Sequence, residues 1–486
     1  MKLFRKLFKQ TFIYGLATVL PRMLSFLLLP LYSSVMPPGL YGEVSLVFVW
    51  FAIFNVILAY GMETAFFRFY TREKVPEKVL STSLISIASS TLIFLLASLL
   101  FREEISGLLN IDIRYIGYFI AILCLDALVI IPFARLRATE RPAAYAIVKI
   151  ANICVNLGFN LFFLLVLPKL AASGSEGFWQ AIYRPDFEVS YILISNVIAS
   201  GITLLILSGN YIRLRLEFDR TLLRRMLYYS IPVMLAGIAF TINEVFDKYL
   251  LTELLPEDIA KTEMGKYAAC YRLAMFMTLF ATAFRLGIEP FFFSHASSEN
   301  PKKAYAEITN YFVVLGSVIL LGVVVFADVL KFLFVRDEAY WEAMEIVPIV
   351  LLASFFLGIY HNLSVWYKVT DRTRFGAVIS LVGAVITIAI NYFFIPRYSY
   401  FASAWATLAA YGSMMLLSYF LGRKYYPVPY NLRKIFFYLG LSVLFSALSF
   451  YVFNRNLYLG LLLLLVFLAL LYRMEKELLL KLIRGK

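Results

Sequence analysis

Apolar runs of about twenty residues alternate with short polar stretches along the whole chain. A run of that length crosses the ~30 Å hydrocarbon core of a bilayer as a helix. Fourteen such windows are legible: 12–35, 41–62, 79–101, 115–133, 145–167, 189–208 and 229–251, then 267–284, 308–326, 346–366, 375–395, 401–421, 435–453 and 457–472. The pattern predicts an all-α polytopic membrane protein with fourteen transmembrane helices.

Charge tests that count independently. Placing the first segment in the cytoplasm puts the basic stretches 2–9, 68–78, 135–141, 213–225, 302–303, 368–374, 423–434 and 473–486 on one side. The positive-inside rule then predicts fourteen spans with both termini cytoplasmic, since one span more or fewer would scramble the alternation. Composition agrees: the 486 residues are 62% hydrophobic and 16% charged, with mean hydropathy +0.79. The net charge of +14 reflects these loops and gives no reason to expect nucleic acid. Cys124, Cys154 and Cys270 fall inside apolar runs without metal-ligand spacing and read as small packing residues. The basic start of the chain superficially resembles a secretory signal. Its apolar run is too long, Pro21 and Arg22 interrupt it, and no cleavage site follows, so it reads as a retained first span.

The chain also repeats itself. Thr139-Glu140-Arg141, Asn160 and Phe162-Phe163 are answered by Thr370-Asp371-Arg372, Asn391 and Phe393-Phe394 at one constant offset. Gly39, Tyr41, Gly61, Glu63 and Phe66-Phe67 are answered by Gly265, Tyr267, Gly287, Glu289 and Phe292-Phe293 at an offset five residues shorter. Two six-helix units in parallel topology follow, at 1–226 and 227–426, with two further helices and a tail at 427–486. Repeated halves are a common transporter design.

Charges within the spans are the candidate chemistry, because each costs at least about 2.5–3.5 kcal/mol at mid-bilayer and calls for a partner or a wet cavity. Arg22 follows Pro21 in the first span, where Pro30 adds a second helix breaker; its planar fork suits phosphate, and a structural pair suits it too. In the seventh span Glu244 and Lys248 are spaced to pair on one face with Asp247 beside them. One acid is then left over, for structure or for exchanging a proton or sodium ion. Tyr267, Tyr271 and Arg272 present aromatic and cationic groups in the eighth span, to a cavity or to the interface. Arg285 and Glu289 read as closing a cytoplasmic helix end. Asp126 lies mid-way along the fourth span as a candidate ion site, and Lys149 near the start of the fifth either contacts substrate or snorkels. Asn152, Asn156 and Asn160 form a stripe that lines a cavity for sugar hydroxyls or joins helices. His295 and His361 stand apart and receive no role.

Neither a phosphate-binding loop, nor a metal-hydrolase motif, nor a nucleophile elbow occurs in the sequence. No enzyme activity, cofactor or metal is expected. The driving force is an ion gradient, the substrate's own gradient or a partner.

Phe12-Ile13-Tyr14-Gly15, Leu28-Leu29-Pro30-Leu31-Tyr32, Tyr41-Gly42, Tyr60 to Ala65 with Arg68, Asn243, Asp247 and Gly265-Lys266-Tyr267 together carry a resemblance. The chain resembles the bacterial polysaccharide-biosynthesis (Wzx-type) flippases of the multidrug/oligosaccharidyl-lipid/polysaccharide exporter superfamily. The resemblance implies a V-shaped pair of six-helix bundles working by alternating access in the bacterial inner membrane. The implied cargo is undecaprenyl-pyrophosphate-linked oligosaccharide, such as an O-antigen repeat unit, whose head group cannot cross hydrocarbon unaided. The two extra spans are similar to those of the lipid II flippase. Under this resemblance Arg22, Lys248 and Arg272, with Lys149, Asn156 and Asn160, are expected to contact substrate. Asp247, Glu244 and Asp126 take coupling-ion or structural roles. Polysaccharide polymerase and assembly proteins are the implied protein partners. Competing functions are a lipid II flippase, a multidrug-extrusion antiporter and a membrane-embedded glycan polymerase; the last usually needs a large loop or catalytic module, which the pattern lacks.

Overall fold

The computed structural model describes residues 19–20, 23–71, 73, 75–172, 177–212, 217–294, 301–370, 372 and 374–484, without the side chains of 287, 289–294 and 477–484. All regular structure among them is helical. Among the described residues twelve helices are long and apolar enough to cross a membrane, and a bent pair counted as one span makes a thirteenth. The first expected span is seen only from its later part, since most of 12–22 lies outside the described residues. Fourteen is therefore reached only by counting that partly described helix.

Chain contacts group the helices into two units, Met1–Gly265 and Lys266–Lys486. The first contains α1 (Leu28–Val35), α2 (Pro38–Ala59), α3 (Met62–Tyr70), α4 (Pro76–Leu100), α5 (Arg102–Leu109), α6 (Ile113–Ala138), α7 (Pro142–Leu161), α8 (Glu188–Leu207) and α9 (Arg220–Leu254). α10 (Glu257–Leu273) passes from the first unit into the second. The second holds α11 (Met275–Ser294), α12 (Pro301–Val325), α13 (Ala327–Phe334), α14 (Val347–Leu363), α15 (Arg374–Tyr398), α16 (Tyr400–Tyr425), α17 (Leu432–Ala447) and α18 (Leu457–Arg484).

Local chemistry sets many of these ends. Pro38, Pro76 and Pro142 open their helices, where the missing N–H has no partner to lose. Asp112, Asp219 and Asn431 cap α6, α9 and α17 by accepting a backbone N–H with their side chains. α1 begins after a turn at Leu27. Pro30 lacks the N–H that would bond the carbonyl four residues back, and this agrees with a break at that point.

In the first unit, Met62, Phe66, Leu84, Ile131 and Met226 form one buried cluster that joins α3, α4, α6 and α9. α9 also lies along α2, with the Trp50 and Tyr249 rings 4.9 Å apart. Gly61, at φ +70°, sits so close to the Ser230 carbonyl that a Cβ there would overlap it. In the second unit α17 and α18 cover α12 through Val314, Leu321, Tyr438 and Phe467. α15 and α16 pack together, and both bury many small residues, Ser380, Gly383, Ala384 and Thr387 on α15 and Ser403, Ala406, Thr407 and Ala410 on α16. Such small residues suit lipid, where close van der Waals packing takes over from the hydrophobic effect.

The internal repeat has a structural counterpart. α4 runs 25 residues from Pro76, breaks at Phe101 and continues as the 8-residue α5. α12 runs 25 residues from Pro301, breaks at Phe326 and continues as the 8-residue α13.

Candidate functional site

The first unit gathers its polar side chains on α6, α7 and α8. Ser200 Oγ donates to Asp126 Oδ1 at 2.7 Å, tying α8 to α6. Lys149 Nζ lies 4.3 Å from the centre of the Phe133 ring, and its charge acts on Asp126. One turn on, Asn152 Nδ2 donates to Thr203 Oγ1 at 2.9 Å, and Thr203 donates to the Ala199 carbonyl. At the far end of the stripe Asn160 is fully buried, donates to the Asn156 carbonyl at 2.8 Å and accepts from Tyr32 OH at 2.9 Å. Asn152 and Asn160 thus join helices. Asn156 differs: its Nδ2 is buried without an acceptor among the described residues. A buried donor left so costs about 1–3 kcal/mol, which favours a ligand oxygen or water beside it.

α9 carries the second cluster. Asn243 and Asp247, four residues apart, are both buried, at 2% and 1% exposure. Lys248 Nζ lies 3.2 Å from Asp247 Oδ1, and the same oxygen accepts the Lys248 backbone N–H at 2.9 Å. The ammonium also reaches the Glu244 backbone carbonyl at 3.4 Å. Asp247 is therefore a direct counter-charge for Lys248, where the spacing left both Glu244 and Asp247 open. A buried pair of this kind is stable while both members stay charged and costly once one is removed.

In the second unit Arg272 is half-buried in the last turn of α10, one residue after Tyr271, whose ring meets Tyr267 edge-on at 5.5 Å. The chain bends by 46° between α10 and α11, directly after Arg272. The carbonyls freed at a helix end carry partial negative charge, which suits a guanidinium there. Arg22 lies outside the described residues, as do His295 and the side chain of Glu289.

Several partners were not legible in sequence. Ser200, Thr203 and Tyr32 are ordinary residues until packing brings them to Asp126, Asn152 and Asn160. His361, given no role in sequence, lies within electrostatic reach of Arg285 and Lys368. Among the described residues no group of His, Cys, Asp and Glu could hold a metal ion.

A family model described as polysaccharide biosynthesis protein matches residues 7–284, more than half of the chain. The chain belongs to that family. A second model, MatE, matches residues 232–393. No curated protein matches the sequence. Among solved structures, the lipid II flippase MurJ in its inward closed conformation superposes with a TM-score of 0.75 at 14% identity, covering 95% of this chain and 99% of MurJ. An inward-facing multidrug-resistance MATE transporter gives 0.65 at 12% identity, covering 83% and 94%. The MATE transporter ClbM in complex with Rb+ gives 0.56 at 15% identity, covering 89% and 97%. At such identities the likeness establishes the fold alone, one shared with the MurJ flippase and the MATE transporters. This member of the polysaccharide biosynthesis family is thus a multi-pass membrane protein whose internal polar groups sit on helices of a transporter fold.

Proposed function

We propose that the protein is a flippase that moves undecaprenyl-pyrophosphate-linked oligosaccharide from the cytoplasmic to the outer leaflet of the bacterial inner membrane. The observation that carries this reading is the polysaccharide-biosynthesis family match over residues 7–284. The charged and amide side chains within α6, α7, α9 and α10 supply the matching chemistry. Lys248 and Arg272, with Arg22, contact the pyrophosphate or acidic sugars; Arg offers the planar fork that suits phosphate. Lys149 and Asn156 serve the head group's hydroxyls, with the orphan Asn156 amide as the most available donor, while Asn160 holds the stripe against its neighbouring helix. Asp247, Glu244 and Asp126 carry the proton or sodium coupling, and polymerase or assembly proteins take up the product. The functional division runs 1–226, 227–426 and 427–486, both termini being cytoplasmic.

A second reading, lipid II transport, is favoured by the 95% coverage of this chain in the comparison with MurJ. Proteoliposomes loaded with fluorescent lipid-linked oligosaccharide or lipid II distinguish the two. Transport of the oligosaccharide, weakened by Lys248→Ala and Arg272→Ala, is expected. Transport of lipid II alone transfers the account to the second reading.

A further inference from the structure

α9 begins at the end of the first unit that carries the basic loops, and its first four turns present two unlike faces. One face is closed: Leu222 and Met226 lie in the buried cluster with Met62, Phe66 and Leu84, and Ser230 is fully buried. The other is open. Arg220 and Arg224 are exposed, and Tyr228, Ile231 and Leu235 follow at 87%, 45% and 59% exposure. With about 3.6 residues per turn, these five positions fall within about 80° of one another. They make one stripe about 22 Å long, close to the depth of a single leaflet with its head-group layer.

Ion pairs set the two arginines apart from their neighbours. The carboxylates of Glu73 and Asp219 are already engaged, by Arg225 at 2.7 Å and by Lys78 at 2.9 Å. Arg225 also lies 5.3 Å from the centre of the Phe69 ring, and Arg68 lies 4.3 Å from that of Tyr229. Arg225 and Tyr229 are thus turned towards α3 and its end, whereas Arg224 and Tyr228 face outwards. Arg220 and Arg224 meet no carboxylate among the described residues. Four residues apart, they stand side by side on the helix. A guanidinium fork can hold two oxygens of one phosphate, so two adjacent forks suit two linked phosphates. Tyr228 adds an amphipathic ring at head-group depth, and Ile231 and Leu235 continue as an apolar wall. The stripe therefore runs in the order of a lipid, charge first and chain after.

We infer that Arg220 and Arg224, with Tyr228, form a docking site for the diphosphate of a prenyl diphosphate lipid, whose chain lies along Ile231 and Leu235. The inference rests on the translocation reading above and names where the lipid-linked substrate is held before its head group moves. Its test separates the two.

Full-length protein in phosphatidylcholine nanodiscs is irradiated with farnesyl diphosphate that carries a diazirine at the far end of its chain. Saturable cross-linking is expected within residues 231–235. It is expected to fall at least about ten-fold in R220Q/R224Q and less in R220K/R224K, which keeps the charge but loses the fork. Excess unlabelled farnesyl diphosphate is expected to suppress it, and inorganic pyrophosphate or added phosphatidylglycerol to leave it standing. Equal cross-linking in the wild type and a folded R220Q/R224Q overturns the site. Suppression by inorganic pyrophosphate as strong as by farnesyl diphosphate marks an anion site without a lipid track, and suppression by phosphatidylglycerol marks a general anionic-lipid surface; either overturns the proposal. If cross-linking behaves as expected but proteoliposomes move no lipid-linked oligosaccharide, the docking site stands and the proposed function fails. Transport without cross-linking keeps the function and removes the site.

Discussion

Lys248 Nζ lies 3.2 Å from Asp247 Oδ1 on one helix, with the two side chains 13% and 2% exposed. Adjacent residues on a helix point about 100° apart, so the contact needs the long lysine side chain to fold back over its neighbour. It places a counter-charge directly against a positive charge within an apolar span.

Asp247→Asn removes the counter-charge and leaves the ammonium buried. The expected loss is about 3–5 kcal/mol of stability, read as a lower unfolding midpoint in detergent. The double variant Asp247→Leu with Lys248→Met is expected to regain most of that stability and none of the transport. Stability of the single variant equal to that of the wild type would show that Asp247 does not compensate Lys248.

Asp126 and Ser200 separate coupling from packing. Ser200→Ala removes one hydrogen bond, about 1 kcal/mol on average, and is expected to leave transport within a few-fold of normal. Asp126→Asn is expected to keep the fold and abolish the response of transport to an imposed proton or sodium gradient. A gradient response preserved in Asp126→Asn removes this carboxylate from the coupling scheme.

Asn160 and Asn391 are both fully buried and donate to the carbonyls of Asn156 and Thr387, at 2.8 and 2.7 Å. Each also bridges: Asn160 accepts from Tyr32, and Asn391 from Ser403. Substitution of either by Ala is expected to cost a similar amount, about 0.6–2 kcal/mol, measured as denaturant midpoints. A large cost at one site with none at the other would argue against their equivalence.

Asp219 caps α9 and lies 2.9 Å from Lys78 on α4. The Lys78 hydrogen bond and the Leu222 N–H hold its carboxyl below the usual carboxylate range. A depressed carboxyl stabilises the fold above its unfolded pKa, and that contribution is lost as pH falls through the folded value. Asp219→Asn keeps the cap but loses the charge. Its stability deficit is expected to be steady at neutral pH and to vanish below about pH 3, where the wild-type carboxyl is also protonated. A deficit independent of pH would assign the effect to the cap alone.

The helical architecture was legible because apolar length and the alternation of basic loops are properties of single segments. The repeat was legible for a related reason: Asn160 and Asn391 occupy the same register, which a constant offset preserves. Side-chain partners were less so. Helical spacing left Glu244 and Asp247 both open as partners of Lys248, and the structure puts the Asp247 carboxylate and the Glu244 backbone carbonyl against it. The asparagine stripe left cavity and helix-joining open, because only packing against α8 and α1 shows that Asn152 and Asn160 bridge while Asn156 keeps a free amide. A Cβ on Gly42 would overlap the Lys261 carbonyl and one on Gly265 the Pro38 carbonyl, a close approach between helices more than two hundred residues apart that no local pattern announces.

The most direct measurement is the initial rate of lipid-linked oligosaccharide translocation in proteoliposomes for the wild type, Lys248→Ala and Arg272→Ala, each first shown to be folded. The account predicts translocation by the wild type and a loss of at least about ten-fold in each variant, equivalent to about 1.4 kcal/mol. Wild-type rates in both variants would contradict it.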